Sequence, residues 1–291
     1  MTTDRELVVN VPVAFGLAPP IEQITRRGSG MRKYRLTHLP GKPLVPSSTS
    51  VIDGTVRNFG LEKWKLSRIR GELERLDGRT ISDGLIENCM TAADRDAKDA
   101  AEVGSGLHSL IDGMLQRKDV SVPDYYVPAI EAFQKWRSTF SHWTYVSSEV
   151  AVYRNGMIGA SYAGMVDAVF EDTRSGDLYI VDWKTSRKIY SNAITQVASY
   201  AYAMREMLMD SRDDMIQRVM PGKNGNPSGL DVRGMVVRFD NSYATSGSSR
   251  EKVFNGDVEY SVVDVEKGYS CFSHIYHVLK SSQTRVETVR I

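Results

Sequence analysis

The sequence predicts an α/β fold: a helical preface, then a meander of strands, then a helix packed on the resulting sheet. Three observations predict it. Between Leu61 and Thr139, apolar and charged residues recur with helical spacing. From Val146 to Lys184 the pattern changes to alternating β-branched and aromatic residues. Beyond Ser186, helical periodicity returns before two more strand-like runs and a closing helix, an order that builds one α/β core.

The elements follow in order. Residues 1–45 read as an appended segment, with Leu7–Val11 as a short strand. Arg26-Arg27 and the run from Met31 to Arg35 are basic with an aromatic inside; a solvated loop is the favoured reading, a phosphate-contacting arm the functional one. Residues 46–145 form a helical region. Hydroxyls at Ser47–Ser50 precede Val51-Ile52, helical spacing spans Leu61–Leu76, one or two helices cover 80–117, and another covers Val127–Thr139. Residues 146–291 carry the core sheet and its flanking helices. Strands are expected over Val146–Tyr153, Met157–Phe170 and Leu178–Lys184, then a helix over Asn192–Leu208. Further strands follow over Val232–Phe239 and Val258–Val265, and a last helix over Ser270–Leu279. The Met220–Gly229 loop, rich in glycine, asparagine and proline, reads as mobile.

Bulk properties exclude more than they select. The 291 residues suffice for a sizeable core. With 37 Lys and Arg against 36 Asp and Glu, net charge argues neither for nor against nucleic acid, so any basic surface is local. Cys89 and Cys271 are too few and too distant for a zinc or iron–sulfur motif. The N-terminal apolar stretch is broken by Asn10, prolines and glycines and does not read as a signal peptide, and no run approaches a membrane span. A cytoplasmic protein without membrane association is expected. No Gly-x-x-x-x-Gly-Lys-Ser/Thr loop is present, so the chain carries no evident ATP-driven motor.

The chemistry concentrates at Gly164–Asp167 and Asp182-Trp183-Lys184. If Thr173–Gly176 is a four-residue hairpin turn closed by Asp172 and Asp177, counting back along both strands sets Asp167 opposite Asp182, with Cβ atoms about 5 Å apart. Alternation puts Lys184 on the face of Asp182. Opposed carboxylates between apolar neighbours are costly unless something neutralises them, and a divalent cation with hard oxygen ligands does so. Lys184 is then placed to orient or deprotonate the attacking water, or to stabilise charge developing on phosphorus oxygens. The bland alternative is a surface salt bridge; register and apolar flanks argue against it. Glu149 fails the same parity test. A two-residue Asn155-Gly156 turn pairs it with Tyr162 and points it away from Asp167, unless a bulge at Ala163 or Gly164 restores it.

Gly-x-x-Asp, a hairpin and Asp-Trp-Lys-Thr-Ser resemble the core of the PD-(D/E)xK nuclease superfamily. The RecB-like branch, which includes CRISPR-associated and mitochondrial genome maintenance exonucleases, is matched further. Gly104-Ser105-Gly106-Leu107-His108 resembles its upstream histidine motif, Gln196 and Tyr200 its Gln-x-x-x-Tyr helix, and Ser48–Ile52 its Ser/Thr opening. The resemblance implies a restriction-endonuclease-like core, a mixed central sheet flanked by helices, spanning roughly residues 45–280.

It implies roles as well. His108, Asp167 and Asp182 would hold Mg²⁺, with Mn²⁺ able to substitute, aided by the Trp183 carbonyl. Asp167, Asp182 and Lys184 would be catalytic. Gln196 and Tyr200 would touch DNA or brace the lysine, though ordinary helix–sheet packing is as good a reading. Thr49, Ser50 and Glu149 would be supporting positions. The four cysteines that some members use for an iron–sulfur cluster are absent.

The implied activity is metal-dependent DNA exonucleolysis on ends or single strands in recombination, repair or replication, in the cytoplasm or, for a phage protein, the host cytoplasm. A helicase or recombination partner would do any unwinding, and Trp183, Tyr190 and Tyr200 would stack on unpaired bases. The rivals are a flap or branch endonuclease and a non-catalytic nucleic-acid-binding protein on the same fold.

Overall fold

The computed structural model of the protein describes residues 6–26, 32–56, 59–76, 78, 82–156, 159–210, 231–246 and 249–283. The Met220–Gly229 loop, Arg27, Met31 and Met157, all singled out above, lie outside these. Strands β5 (Trp143–Asn155), β6 (Ser161–Asp172), β7 (Leu178–Lys184), β8 (Val232–Ser246) and β9 (Ser249–Val263) form a five-stranded sheet in that order. Neighbours run antiparallel except β7 and β8, which are parallel. A parallel pair needs a crossover, and helix α5 (Ser191–Asp210) lies within that connection. The sheet is therefore mixed and flanked by helices, the architecture expected of a restriction-endonuclease-like core.

Alternation along β7 divides its side chains between two cores. Leu178 and Ile180 join one with α5, α1 (Ser48–Thr55) and the closing helix α6 (Val265–Gln283). Val181 and Trp183 join the other with α3 (Asp83–Leu115) and α4 (Val127–Thr139), where Trp136, Phe133, Trp143 and Phe170 pack mostly edge to face. Helix α2 (Phe59–Glu74) packs along α3. Helix α3 is one continuous helix where one or two were expected. Helix α4 and strand β7 have the expected bounds, while β8 and β9 continue beyond theirs as a long hairpin. Val265, assigned above to a strand, instead opens α6.

The N-terminal segment differs most from expectation. It forms a second sheet of β1 (Glu6–Val11), β2 (Ile21–Arg26), β3 (Arg32–Arg35) and β4 (Leu44–Pro46). The described part of the basic run, Arg32–Arg35, is thus a strand, not a loop. Its Tyr34 is fully buried, and Val11, Ile21, Leu36 and Val45 share the α5-side core. Isolated bridges from Val13 to Ala151 and from Ser47 to Ala163 tie this sheet to the main one. Among the described residues no helix is long and apolar enough to cross a membrane.

Candidate active site

The β6–β7 register is the one deduced from the turn. Ala168 faces Val181 and Glu171 faces Leu178, so Asp167 and Asp182 are next in line. The ladder stops there because the Asp167 side chain takes the next bond: its Oδ2 accepts the Trp183 backbone N–H at 2.8 Å. Asp182 and Lys184 lie on the α5 face, where Lys184 Nζ and Asp182 Oδ2 are 2.6 Å apart. Asp182 is 2% exposed. From α5, Gln196 Nε2 donates to Asp182 Oδ1 at 3.3 Å and to the Tyr200 hydroxyl at 2.9 Å. These two residues therefore brace Asp182 rather than Lys184. Gly164 makes room for them: a Cβ there would lie 2.0 Å from the Tyr200 ring.

His108 reaches the site from α3. Its Nε2 is 2.9 Å from the Trp183 carbonyl oxygen and its Nδ1 is 3.6 Å from Asp167 Oδ2. The glycine before Leu107 has a packing reason, since a Cβ on Gly106 would come within 2.2 Å of the Tyr126 hydroxyl. One turn beyond His108, Asp112 enters the same cleft, held by Gln116 at 2.8 Å and by Ser148. Sequence reading passed over Asp112, although its spacing from His108 puts both on one helix face.

Glu149 is the principal correction. The β5–β6 ladder closes at Asn155 and Ser161, not around a two-residue Asn155-Gly156 turn. Val150 faces Val166 and Ser148 faces Ala168, which sets Glu149 opposite Asp167 instead of Tyr162. Its φ of 50° is left-handed, a conformation non-glycine residues rarely adopt, and the regular pairing skips it. Ligand atoms of His108, Glu149 and Asp167 all lie within 4.8 Å of one another. The connection is longer than a two-residue turn by an odd number of residues, which flips the facing of β5 relative to β6.

Electrostatics mark the cluster as strained without a cation. Burial raises the Asp182 carboxyl to about 6, against the pull of Lys184 and with the push of Asp167. Burial and then Asp167 raise Glu149. Burial works to strip Lys184 of its proton, but Asp182 and Asp167 outweigh it and its pKa is raised. The donor set of imidazole, carboxylates and a nearby backbone carbonyl fits a divalent ion such as Mg²⁺ or Mn²⁺. His108, Glu149, Asp167, Asp182 and Lys184 line one cleft of about 430 Å³, along with Thr49 and Arg32.

Other expected residues are occupied in packing or capping. Ser50 is buried and bonded to Ser47 and to the Arg32 backbone, so its hydroxyl is spent on the start of α1. Trp183 and Tyr200 are 2% and 3% exposed, embedded in the two cores, and are not free stacking platforms; Tyr190 is 46% exposed.

The family model of the PD-(D/E)XK nuclease superfamily matches residues 73–224, a segment that holds His108, Glu149, Asp167, Asp182, Lys184, Gln196 and Tyr200. The chain belongs to the PD-(D/E)XK nuclease superfamily. Membership makes it a metal-dependent nuclease with a nucleic-acid substrate. A search of curated proteins gives no match. Among solved structures, one described as the crystal structure of SSO0001 aligns at a TM-score of 0.31 and 11% identity, over 76% of this chain and 88% of that one. So loose a likeness adds nothing to the family assignment.

Proposed function

We propose that this PD-(D/E)XK nuclease is a RecB-like, Mg²⁺-dependent deoxyribonuclease that digests DNA from ends or along single strands, in recombination, repair or replication. His108, Asp167, Asp182 and, against the sequence expectation, Glu149 are the residues to hold the ion. When bound, the ion would supply an activated water and neutralise charge on the scissile phosphate. The remaining chemistry falls to side chains. Lys184, kept as an ammonium beside Asp182, donates to a non-bridging phosphate oxygen as negative charge develops there. Gln196 and Tyr200 hold Asp182 in place for that pairing. The observation that carries the reading is the convergence of three ligand-type side chains within 4.8 Å, on two strands and a helix, beside the Asp182–Lys184 pair.

End-labelled linear DNA and a closed single-stranded circle, each incubated with Mg²⁺ or Mn²⁺, test the proposal. Stepwise loss of label from the linear DNA and an intact circle are expected. Cutting of the circle would replace the exonuclease with a structure-specific endonuclease. Intact DNA in every reaction would leave only a non-catalytic binding role.

A further inference from the structure

We propose that Arg32 is a substrate-binding residue whose guanidinium grips a backbone phosphate flanking the one being cleaved. The inference rests on the nuclease reading above, and concerns a strand outside the segment matched by the family model.

The cleft presents a polyanion with an unfavourable wall. Asp112, Glu149, Asp167 and Asp182 all line it. A bound cation and Lys184 answer for the phosphate at the centre, but Lys184 is already paired with Asp182 at 2.6 Å. Phosphates to either side still need a positive partner. Among the described residues Arg32 is the one arginine on the wall, and among them no ion pair joins it to a carboxylate, unlike the pairs of other arginines. Its neighbour Arg35 differs in this respect, tied to Glu22 at 2.6 Å. A guanidinium without a carboxylate partner among the described residues, in a cleft proposed to take nucleic acid, suits bidentate phosphate binding.

The position is also built. The Arg32 backbone N–H donates to Ser50 Oγ at 3.0 Å, and its carbonyl accepts from the Ser47 N–H at 2.9 Å. Ser47 in turn caps α1, accepting from the Ser50 N–H. Strand β3 and the first turn of α1 are thereby locked together, and Thr49 of that turn lines the same cleft. Arg32 shares a face of β3 with buried Tyr34; burial raises that phenol, and the charge and a side-chain hydrogen bond of Arg32 pull it back, so the guanidinium is steered by a neutral partner. All of these backbone bonds survive a change of the side chain, so substitution tests binding without unlocking the fold.

The experiment uses the full chain with Arg32→Ala and Arg32→Lys. Single-stranded oligonucleotides carry one uncharged methylphosphonate at successive positions. Binding is read with Ca²⁺ and cleavage with Mn²⁺. Arg32→Ala is expected to raise KM by about 10- to 100-fold, the scale of one charged hydrogen-bonding pair. It should leave kcat within about threefold, as loss of uniform binding does. The melting temperature should stay put, and lysine should recover part of the affinity. In wild type, one flanking methylphosphonate should weaken binding as much as the substitution does, and the two losses should not add. The salt dependence of binding should also lose about one unit of slope.

Unchanged KM, or additive losses at every methylphosphonate position, would overturn the assignment. If wild type binds DNA but never cleaves it, the nuclease reading falls while the binding series still decides Arg32. If it binds no DNA, both fall.

Discussion

Replacing Glu149 with glutamine removes one negative charge from the His108–Glu149–Asp167 cluster while keeping the side chain's size and leaving its φ of 50° alone. Glu149 and Asp167 offer ligand atoms within 4.8 Å. At that separation two unit charges repel by about 3.5 kcal/mol at an effective dielectric constant of about 20. Glu149 opens to solvent, and screening reduces the figure to about 1 kcal/mol. In EDTA, Glu149→Gln should therefore melt about 2–4 °C above wild type, the shift expected of 1 kcal/mol in a chain of this size. Divalent metal reverses the order. Saturation at about 100 times Kd stabilises wild type by about 2.7 kcal/mol, and the variant, short of a ligand, should need at least tenfold more Mg²⁺ or Mn²⁺ for the same gain. Differential scanning calorimetry across a metal titration reads both effects. A variant that melts below wild type in EDTA, or one that gains as much from metal, would refute the reasoning.

Three other outcomes follow from the site. Lys184→Ala should lower cleavage by about a hundred- to a thousandfold, the scale of a lost charge-stabilising donor, with DNA binding in Ca²⁺ retained; wild-type turnover would remove Lys184 from the chemistry. Asp182 has its folded carboxyl raised to about 6 by burial from an ordinary 3.8, so its contribution to stability is full below about pH 4 and is lost as pH rises through about 6. Urea titrations in EDTA from pH 4 to 7 should show wild type losing stability relative to Asp182→Asn over that window; parallel curves would contradict the burial argument. Gly164→Ala forces a Cβ to 2.0 Å from Tyr200 and should destabilise by about 1–3 kcal/mol, relieved by a second change, Tyr200→Ala; additive losses in a double-mutant cycle would separate the two residues.

Legibility in the sequence tracked how tightly local chemistry specifies each turn. Thr173–Gly176 closes a short hairpin between Asp172 and Asp177, and the Gly176 N–H bonds back to Asp172. That fixed the β6–β7 register and the neighbouring places of Asp167 and Asp182. Asn155-Gly156 carries an equally strong turn signal, yet the strands close at Asn155 and Ser161. The connection is three residues longer than a two-residue turn, and Glu149 changed sides as a result.

The N-terminal sheet was hidden for a different reason. Its strands are short, and in β3 the charges of Arg32, Lys33 and Arg35 mask the single buried Tyr34 that anchors it. Trp183 and Tyr200 were misjudged as stacking surfaces because composition cannot separate an aromatic that faces solvent from one that fills a core. His108 was placed by motif alone; nothing in periodicity distinguishes it from Asp112, which the cleft uses as well.

The central claim is that one divalent ion sits among His108, Glu149, Asp167 and Asp182. Anomalous diffraction from crystals grown with Mn²⁺ tests it most directly. A single strong peak about 2.1–2.3 Å from a His108 ring nitrogen and from oxygens of Asp167 and at least one other of these carboxylates is predicted. Mn²⁺ seated elsewhere at saturating concentration, or a cleft without a peak in crystals that cleave DNA when it is soaked in, would contradict it.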